Sequence, residues 1–437
     1  MKRKKKQTPN AWCEAVELTD QFLKTNERAD SLWERTTGRL HDNERRRCRN
    51  LFFGVLRNVT LIEWAIKQNV RVLPRGRLRA LLMVAGFELL EGRERAPQAD
   101  PLVVHHAVER AKELVTAPEV RLVNAVLRRL PETLGSRMAA EARGSGGLAL
   151  RYSHPEWLVS RWIGAFGWDR ARELLRWNQE PAPWYLRVFG ELSDDEAGIL
   201  EASRWAGFYR VPGGGREIAE RLMEAGRGYS QDPSTRLGPE LLAPKAGESV
   251  VDLCAAPGGK SLWLAEVAGK GDAGGTLVSL DLPGGRLERL KENLSRYPRS
   301  RETRVVGMDL LEASSNALEE RGLPGAYDAV LLDAPCSNTG VFRRRVDARW
   351  LLEPPKIAEL AALQLRLLRV AAGLVRPEGR IVYSTCSVEA EENREVAEAF
   401  AAESRGRFVL EKATEHFPWK TGHDGGGAFL LRRRAAG

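Results

Sequence analysis

Two cysteines of the 437-residue chain lie in polar, turn-forming sequence, each directly after a short apolar run that predicts a strand. Cys336 belongs to the segment DAPCS (333–337), and Cys386 belongs to the segment STCS (384–387). A lone cysteine is more often a small buried hydrophobe than a reactive group. Here both thiols follow predicted strands, and if these strands are neighbours, both thiols project into the same crevice. The pair therefore predicts a site at which a thiol acts as a nucleophile.

A glycine-containing loop, DLCAAPGGKS (252–261), follows another predicted strand and opens a helix, whose first N–H groups are free to bind a ligand. A nucleotide triphosphatase loop would need glycine at the position of Cys254, so this class is excluded. Asp281 and Asp309 follow the next two predicted strands. Asp281 comes about 20 residues after the loop, the spacing at which a carboxylate meets a ribose hydroxyl. Together these features favour an adenosine-containing cofactor.

A thiol, an aspartate and an adenosine cofactor suit methylation of a pyrimidine ring. Carbon 5 of cytosine is a poor nucleophile, but a thiolate that adds to carbon 6 makes it reactive towards a methyl donor. A free cysteine has a pKa of about 8.5, so the site must favour the thiolate. Asp333 is placed to bond the N3/N4 edge of the base. This chemistry does not decide which cysteine attacks and which assists release.

The charge balance favours a polyanionic partner. Lys+Arg number 68 and Asp+Glu 59, a net charge of +9 with a pI near 9.4, although charge alone fits an ordinary basic protein equally well. The opening MKRKKK predicts a disordered basic arm with affinity for phosphates, since it lacks the apolar segment of a signal peptide. No stretch approaches the roughly 20 apolar residues of a bilayer span, which excludes a membrane-spanning protein.

The five cysteines are odd in number, far apart and without a C-x-x-C pair. This pattern argues against a disulfide framework and against a zinc site, so we expect no metal. It indicates a reducing, cytoplasmic environment in which a functional cysteine acts as a thiol.

Periodicity divides the chain into three predicted domains, at residues 1–145, 146–235 and 236–437. The first is helical, with proline punctuation at Pro131 and a predicted linker at 143–147. The second is rich in tryptophan, which suits an aromatic core better than base stacking. The third alternates strands with helices and predicts a parallel sheet covered on both faces. The predicted strands are 249–253, 276–280, 304–306, 328–332 and 380–384.

Three motifs make the chain resemble the RsmB/Sun (also called Fmu) family of RNA 5-methylcytosine methyltransferases: DLCAAPGGKS (252–261), DAPCSNTGV (333–341) and YSTCSVEAEEN (383–393). The resemblance extends to LFFGVLRN (51–58), LLMVAGFELL (81–90) and NAVLRRL (124–130), which look like a NusB-like helical RNA-binding domain. HPEWLVSRW (154–162), LRV (186–188) and YSQDPSTRL (229–237) look like the family's connecting region. It implies an all-α first domain, a small α+β connecting subdomain and a Rossmann-like class I methyltransferase domain. The implied substrate is one cytosine of 16S ribosomal RNA, and we expect the protein to act as a monomer.

The resemblance also implies roles for individual residues. Cys386 corresponds to the nucleophile, and Cys336 corresponds to the cysteine needed for product release. The implied cofactor is S-adenosyl-L-methionine, and its implied contacts are Cys254, Ala255, Ala256, Pro257, Gly258, Gly259, Lys260, Asp281, Asp309 and Asp333. Asp333 thus faces both the methyl donor and the target base.

The chain departs from the family near its end, where DGGGAF (424–429) replaces the usual Asp-Gly-Phe-Phe. We expect this stretch to shape the pocket wall or the last hairpin. The commoner Gly-Asp of the family is here Gly-Met-Asp at 307–309, an offset of one residue at Asp309.

An arginine run follows the DAPCSNTG segment and consists of Arg343, Arg344, Arg345 and Arg349. Such a run is usually a solvated face, but beside the active-site loop we expect it to clamp the RNA backbone. Two other functions stay open on the sequence: the same chemistry on transfer RNA, and an RNA-binding assembly factor without turnover.

Overall fold

The computed structural model describes residues 10–25, 27–95, 100–268, 275–297 and 303–435. The predicted basic arm at 1–6 lies outside these residues. In the described part the helices are, in chain order, α1 Ala11–Thr25, α2 Ala29–Thr36, α3 Asp42–Arg57, α4 Val59–Lys67, α5 Arg77–Arg95, α6 Asp100–Leu114, α7 Ala117–Ala139, α8 Gly144–Arg151, α9 Glu156–Phe166, α10 Trp168–Gln179, α11 Asp194–Ile199, α12 Arg216–Glu224, α13 Leu237–Leu242, α14 Gly259–Ala268, α15 Gly285–Arg296, α16 Ser315–Glu319, α17 Ala348–Leu351, α18 Pro354–Leu374, α19 Arg394–Glu403 and α20 Pro418–Thr421.

The strands of the described part form two sheets. In chain order they are β1 Tyr185–Val188, β2 Glu201–Ala202, β3 Phe208–Arg210, β4 Gly228–Ser230, β5 Val250–Leu253, β6 Leu277–Asp281, β7 Thr303–Gly307, β8 Tyr327–Asp333, β9 Val375–Thr385, β10 Phe408–His416 and β11 Gly426–Arg433. The small sheet has the order β2-β3-β1-β4, and the large sheet has the order β10-β11-β9-β8-β5-β6-β7.

The chain forms two compact units, and each unit is made of two stretches that are separate in the sequence. The helical unit holds the residues up to Glu180 together with Arg344–Leu352, and the sheet unit holds Pro181–Arg343 and the residues from Glu353 onward. No break between units falls at the predicted boundary of residues 145 and 146. The three-domain division of the sequence stays a prediction.

The helical unit is built on helices whose apolar residues recur every three or four positions. On α7, Val123, Val126, Leu127, Leu130 and Leu134 are buried and join the core of the unit. Pro131 lies inside α7 rather than at its end, so the predicted stop is wrong. The same buried face continues on both sides of the proline, and its packing offsets the lost backbone hydrogen bond.

The predicted linker at 143–147 is also wrong. Gly144 begins α8, which buries Leu148 and Ala149. The glycines permit close approach, since a Cβ on Gly147 would lie 3.1 Å from the carbonyl carbon of Ala142.

The large sheet of the sheet unit is mainly parallel. Strands β7, β6, β5, β8 and β9 run parallel, and every residue of β5 and β6 is buried, as expected of strands covered on both faces. The five predicted strands are confirmed as β5 to β9, as is the predicted α/β class. An antiparallel hairpin, β10 and β11, extends the sheet beside β9. Among the described helices, none is long and apolar enough to cross a bilayer.

Candidate active site

The two predicted site thiols lie side by side at the carboxyl edge of the large sheet. Strands β8 and β9 are parallel neighbours, and Asp333 is paired with Ser384 at their ends. The next residues of each strand turn into loops that bring the Sγ atoms of Cys336 and Cys386 to 3.1 Å from each other. The two strands are therefore neighbours, as the prediction of a shared crevice for the two thiols required.

The surroundings of Cys336 disfavour its thiolate form. The hydrogen bond with Cys386, burial and the negative charge at Cys386 and Glu392 raise the pKa of Cys336 well above its usual value. Cys336 consequently keeps its proton and can donate it towards the Cys386 sulfur. The Sγ of Cys386 also lies 3.4 Å from the amide oxygen of Asn338.

A buried carboxylate, Glu392, ties the two thiol loops together. Its Oε1 accepts from the backbone N–H of Ser337 at 2.8 Å and from Gln364 Nε2 at 3.0 Å. Its Oε2 accepts from the hydroxyls of Ser337 and Ser387, the latter at 2.6 Å. Burial raises the pKa of Glu392, and these hydrogen bonds oppose the rise. Because Ser337 follows Cys336 and Ser387 follows Cys386, one carboxylate fixes both loops.

Lys260 and Asp333 form an ion pair beside the thiols. Lys260 Nζ lies 2.5 Å from Asp333 Oδ2, and Ser384 Oγ donates to Asp333 Oδ1 at 3.0 Å. Burial lowers the pKa of Lys260, but the charge and hydrogen bond of Asp333 and the nearby Cys386 outweigh it, so the pKa is raised. The lysine therefore stays cationic at the point where sulfur chemistry is expected.

The loop after β5 is tightly packed at Gly258. Gly258 has φ +108°, and a Cβ there would lie 2.9 Å from Leu290 Cδ1, so only glycine fits without displacement. Burial and the neighbouring aspartates raise the pKa of Cys254, which makes it an inert third thiol.

The charges around this loop suit S-adenosylmethionine, which carries a sulfonium and an ammonium group. Asp252 is fully buried, and within the described residues its Oδ1 has no hydrogen-bond partner. Burial is the main cause that raises the pKa of Asp252 to about 7. The negative charges of Asp333 and Asp281, which lie nearby, also raise it. The three carboxylates outnumber the two cations beside them, Lys260 and Arg286, whose guanidinium lies 3.7 Å from Asp281, and this balance favours a cationic ligand.

Two of the predicted cofactor contacts, Asp281 and Asp309, differ in their settings. The carboxylate of Asp281 is nearly buried and accepts from the backbone N–H groups of Ala256 and Leu282, each at 2.8 Å. It thus holds the cofactor loop and retains lone pairs for hydroxyl groups. Asp309 is exposed and caps the short 3-10 turn Leu310–Glu312 by accepting from Leu311 N at 2.9 Å. Its contact with the cofactor stays a prediction.

The atypical glycines near the end of the chain pack against the thiol loops. The N–H of Gly425 donates to Gly340 O at 2.9 Å, and the N–H of Gly340 donates to Cys386 O at 3.0 Å. A Cβ on Gly426 would lie 2.5 Å from Thr385 O. These contacts agree with the expected place of this stretch beside the site and in the last hairpin.

The arginine run does not form one solvated face. Arg349 is fully buried in the helical unit, where it donates to Asn178 O at 3.0 Å and to Ser153 O at 3.3 Å. Arg343 is buried in the sheet unit and donates to Pro181 O at 2.9 Å. The RNA clamp is therefore wrong for these two residues, because their donors are already engaged on backbone carbonyls. Arg344 and Arg345 are half-buried, and for them the clamp stays a prediction.

The sequence reasoning missed three residues of the site: Asn338, Ser384 and Glu392. Ser384 and Glu392 belong to the segment 383–393 that carried the resemblance, and Asn338 belongs to 333–341. Glu392 is one of three glutamates within 389–392, and nothing in their pattern indicated which one is buried between the loops. For Asn338 and Ser384, the available signal was a polar residue two positions from a thiol.

Comparisons with known proteins agree with this geometry. A family model described as 16S rRNA methyltransferase RsmB/F matches residues 239–423, and the NusB family model matches residues 11–132. Among solved structures, PH0851 has a TM-score of 0.75 at 24% identity and covers 98% of this chain and 100% of its own. NSun6 from Pyrococcus horikoshii has a TM-score of 0.53 at 21% identity, over 64% of this chain and 99% of its own. At these identities the likeness shows the fold.

The sequence relatives are more informative. The ribosomal RNA small subunit methyltransferase B of Salmonella paratyphi B is 31% identical over 441 residues, which span 96% of this chain and 97% of that protein. The probable ribosomal RNA small subunit methyltransferase B of Bacillus subtilis is 32% identical over 379 residues, 83% of this chain and 81% of that protein. The chain belongs to the RsmB/F family of S-adenosylmethionine-dependent rRNA methyltransferases.

Proposed function

We propose that this methyltransferase modifies carbon 5 of a cytosine in 16S ribosomal RNA, with Cys386 as the nucleophile that bonds transiently to carbon 6. The observation that carries the proposal is the 3.1 Å approach of the Cys386 and Cys336 sulfurs beside the Asp333–Lys260 pair. A thiol pair at this place has no evident use in methylating a ribose hydroxyl or a backbone phosphate. A cytoplasmic monomer acting on 16S rRNA is part of the same proposal and rests on the family.

The residues divide the work as follows. Cys386 Sγ, as the thiolate, adds to carbon 6, while Asp333 accepts from the N4 amino group and orients the base. The Lys260 cation paired with Asp333 suits the negative charge that develops on the ring. When bound, S-adenosylmethionine supplies an electrophilic methyl group, and Asp252, Asp281 and the loop at 254–260 would hold it. Bond formation turns Cys386 into a neutral thioether.

Cys336 is suited to the release step. The pKa of Cys336 is raised chiefly by its hydrogen bond with Cys386, and also by the negative charge there. Both causes weaken once the Cys386 sulfur is bonded to carbon 6, so Cys336 becomes more acidic, releases its own proton to solvent and, as a thiolate, takes the carbon 5 proton. Loss of that proton expels the Cys386 thiolate and restores the aromatic ring.

Two substitutions test these roles. Cys386→Ser should abolish methyl transfer from labelled S-adenosylmethionine to 16S rRNA and leave cofactor affinity unchanged. Cys336→Ala should accumulate a covalent protein–RNA adduct, seen as a shifted band on a denaturing gel, and Cys254→Ala is the matched control thiol. Full activity of Cys386→Ser would refute the proposal.

The RNA class is tested separately. Bisulfite sequencing of total RNA with and without the gene should show one unprotected cytosine in 16S rRNA when the gene is absent. A change confined to transfer RNA would replace the proposed substrate, and no change in any RNA, together with no methyl transfer, would favour an assembly factor.

A further inference from the structure

Two surface cavities of similar size lie in the sheet unit. The first, of about 390 Å³, is lined by residues of the small sheet and its turns and by Lys420–Gly422 of the β10–β11 connection. The second, of about 380 Å³, is lined mainly by α18, α19 and the outer ends of β10 and β11. Both cavities are lined by arginines, so the number of positive charges alone does not indicate which of them binds an anion.

Strand register places the two cavities at opposite edges of the large sheet. Gly427 is paired with Thr385, directly before Cys386, and His416 is paired with Gly426, so the β10–β11 connection lies at the thiol edge. Phe408 is paired with Arg433 at the other end of this hairpin. The first cavity, which the connection lines, is therefore on the thiol side, and the second is on the far side.

The first cavity is also joined to the thiol loops by a short chain path. Gly422 lines the cavity, and Gly425, three residues on, donates to Gly340 O, whose own N–H donates to Cys386 O. Three residues span at most about 10 Å. A ligand in this cavity is thus within one or two nucleotides of a base held at Cys386.

The cations of the two cavities differ in their partners. In the second, Arg369 forms a bidentate pair with Glu403, while Arg407 and Arg433 donate to the backbone carbonyls of Ser404 and Val375. In the first, Arg210 lies 3.3 Å from Glu201, an exposed pair of little strength. Arg204 and Lys420 have no carboxylate partner among the described residues, and both are exposed. The first cavity therefore keeps positive charge available for an anion.

An aromatic platform supports one of these cations. The guanidinium of Arg204 lies 4.6 Å from the Trp205 ring centre, and Trp205 is held by Tyr185 at 5.8 Å and His423 at 5.5 Å. A guanidinium fixed over a ring presents a plane on which a base can stack and donors that a phosphate can accept. Charge and a stacking plane together are the features of single-stranded RNA sites.

We propose that this cavity binds a nucleotide of the RNA that flanks the target cytosine, with Arg204 and Lys420 on its phosphate and the Arg204–Trp205 stack against its base. The inference rests on the proposed function. A base must leave its stack to reach Cys386, and contacts to the flanking nucleotides hold the strand in that state.

The test compares two double variants that each remove two cations. Arg204→Gln/Lys420→Gln changes the thiol-side cavity, and Arg369→Gln/Arg407→Gln changes the far cavity as a matched control. For the first, we expect the KM for 16S rRNA transcript to rise about tenfold, with kcat and S-adenosylmethionine affinity unchanged. The slope of log Kd against log salt concentration should become shallower by about 0.7, the value for one phosphate on a single strand.

A third variant separates charge from stacking. Arg204→Lys keeps the charge but loses the planar group, so RNA affinity should fall while the salt slope stays that of the unchanged protein. An unchanged Kd and KM in Arg204→Gln/Lys420→Gln, or an equal loss in the control, would overturn the inference. Because Kd is measured without turnover, these outcomes are distinct from failure of the unchanged protein to methylate RNA, which would instead refute the proposed function.

Discussion

Glu392 shows how one side chain controls the geometry of a two-thiol site. Its carboxylate accepts four hydrogen bonds, three of them from the serines that follow the two cysteines. Displacement of either loop by 1 Å would separate sulfurs that now lie 3.1 Å apart. Such a displacement typically lowers a rate about 100-fold. Glu392 is thus a positioning residue rather than a catalytic one.

Glu392→Gln should lower kcat roughly 10- to 100-fold, because an amide NH₂ would face donors that now meet carboxylate oxygens. Cofactor affinity should be unchanged, and the adduct of Cys336→Ala should form more slowly in the double variant. Glu395→Gln, an exposed glutamate on α19, is the control. Unchanged turnover in Glu392→Gln with a lower melting temperature would show a purely structural role.

Asp252 should make the free energy of unfolding fall as the pH rises, the opposite of what a carboxylate with a lowered pKa would do. Burial raises its pKa to about 7; Asp333 and Asp281 also raise it, whereas Ser261 and Lys260 lower it. In the unfolded chain its pKa is about 3.9. Between about pH 4 and 7 the folded state therefore holds a proton that the unfolded state has lost. The contribution of this group to the free energy of unfolding is full below about pH 4 and falls by up to about 4 kcal/mol as the pH rises through 7.

Asp252→Asn should remove this dependence, since an amide keeps the shape without the charge. We expect the ligand-free variant to melt several degrees above the unchanged protein at pH 8 and at nearly the same temperature at pH 5. Thermal melts followed by circular dichroism at the two pH values measure the difference. Equal melting temperatures at pH 8 would contradict the assignment of a buried, titrating carboxylate.

At the scale of elements, the segment Arg344–Leu352 belongs to the helical unit although it follows the DAPCSNTG loop in sequence. Val346 is buried in the helical core, Trp350 Nε1 donates to Leu56 O at 2.7 Å, and Asp347 accepts from Ala29 N at 3.1 Å. Burial and Arg57 lower the pKa of Arg349, but its donors remain bound to two carbonyls. The segment is a structural part of that unit.

Arg349→Ala should destabilise the helical unit by about 2–4 kcal/mol, because it leaves Ser153 O and Asn178 O buried without their donor. Arg128→Ala, which removes an exposed side chain of α7 in the same unit, should change stability by less than about 0.5 kcal/mol. Chemical denaturation followed by tryptophan fluorescence measures both. Equal midpoints for the two variants would show that Arg349 does not tie this segment.

The same segment marks the limit of prediction from the sequence. Strands β5 to β9 and the loops that follow them were predictable, because parallel strands carry continuous apolar runs and their carboxyl ends gather site residues. The burial of Arg343 and Arg349 was not predictable. A basic run has the same sequence whether its N–H groups bind water or donate to buried carbonyls. Pro131 and Gly144 misled for a related reason: local preference favoured a break, and tertiary packing overrode it.

At the scale of the whole molecule, the segment Arg344–Leu352 interrupts the sheet unit in sequence but is buried in the helical unit. A fragment of residues 181–437 should aggregate, because Val346 and Trp350 would lose the core in which they are packed. Replacing 344–352 in this fragment by a glycine–serine linker of equal length should restore a monodisperse fragment. Size-exclusion chromatography compares the two, and a monodisperse unmodified fragment would contradict the expectation.

The excursion also sets the order of events during synthesis. A ribosome that has made residue 180 must add roughly 170 more before Leu352 emerges, which takes on the order of 10–30 s at bacterial or eukaryotic speeds. Throughout that interval the nascent helical unit lacks the segment Arg344–Leu352. The apolar residues that pack against this segment stay exposed and accessible to chaperones. The amino-terminal half therefore matures only after much of the methyltransferase sheet has been translated.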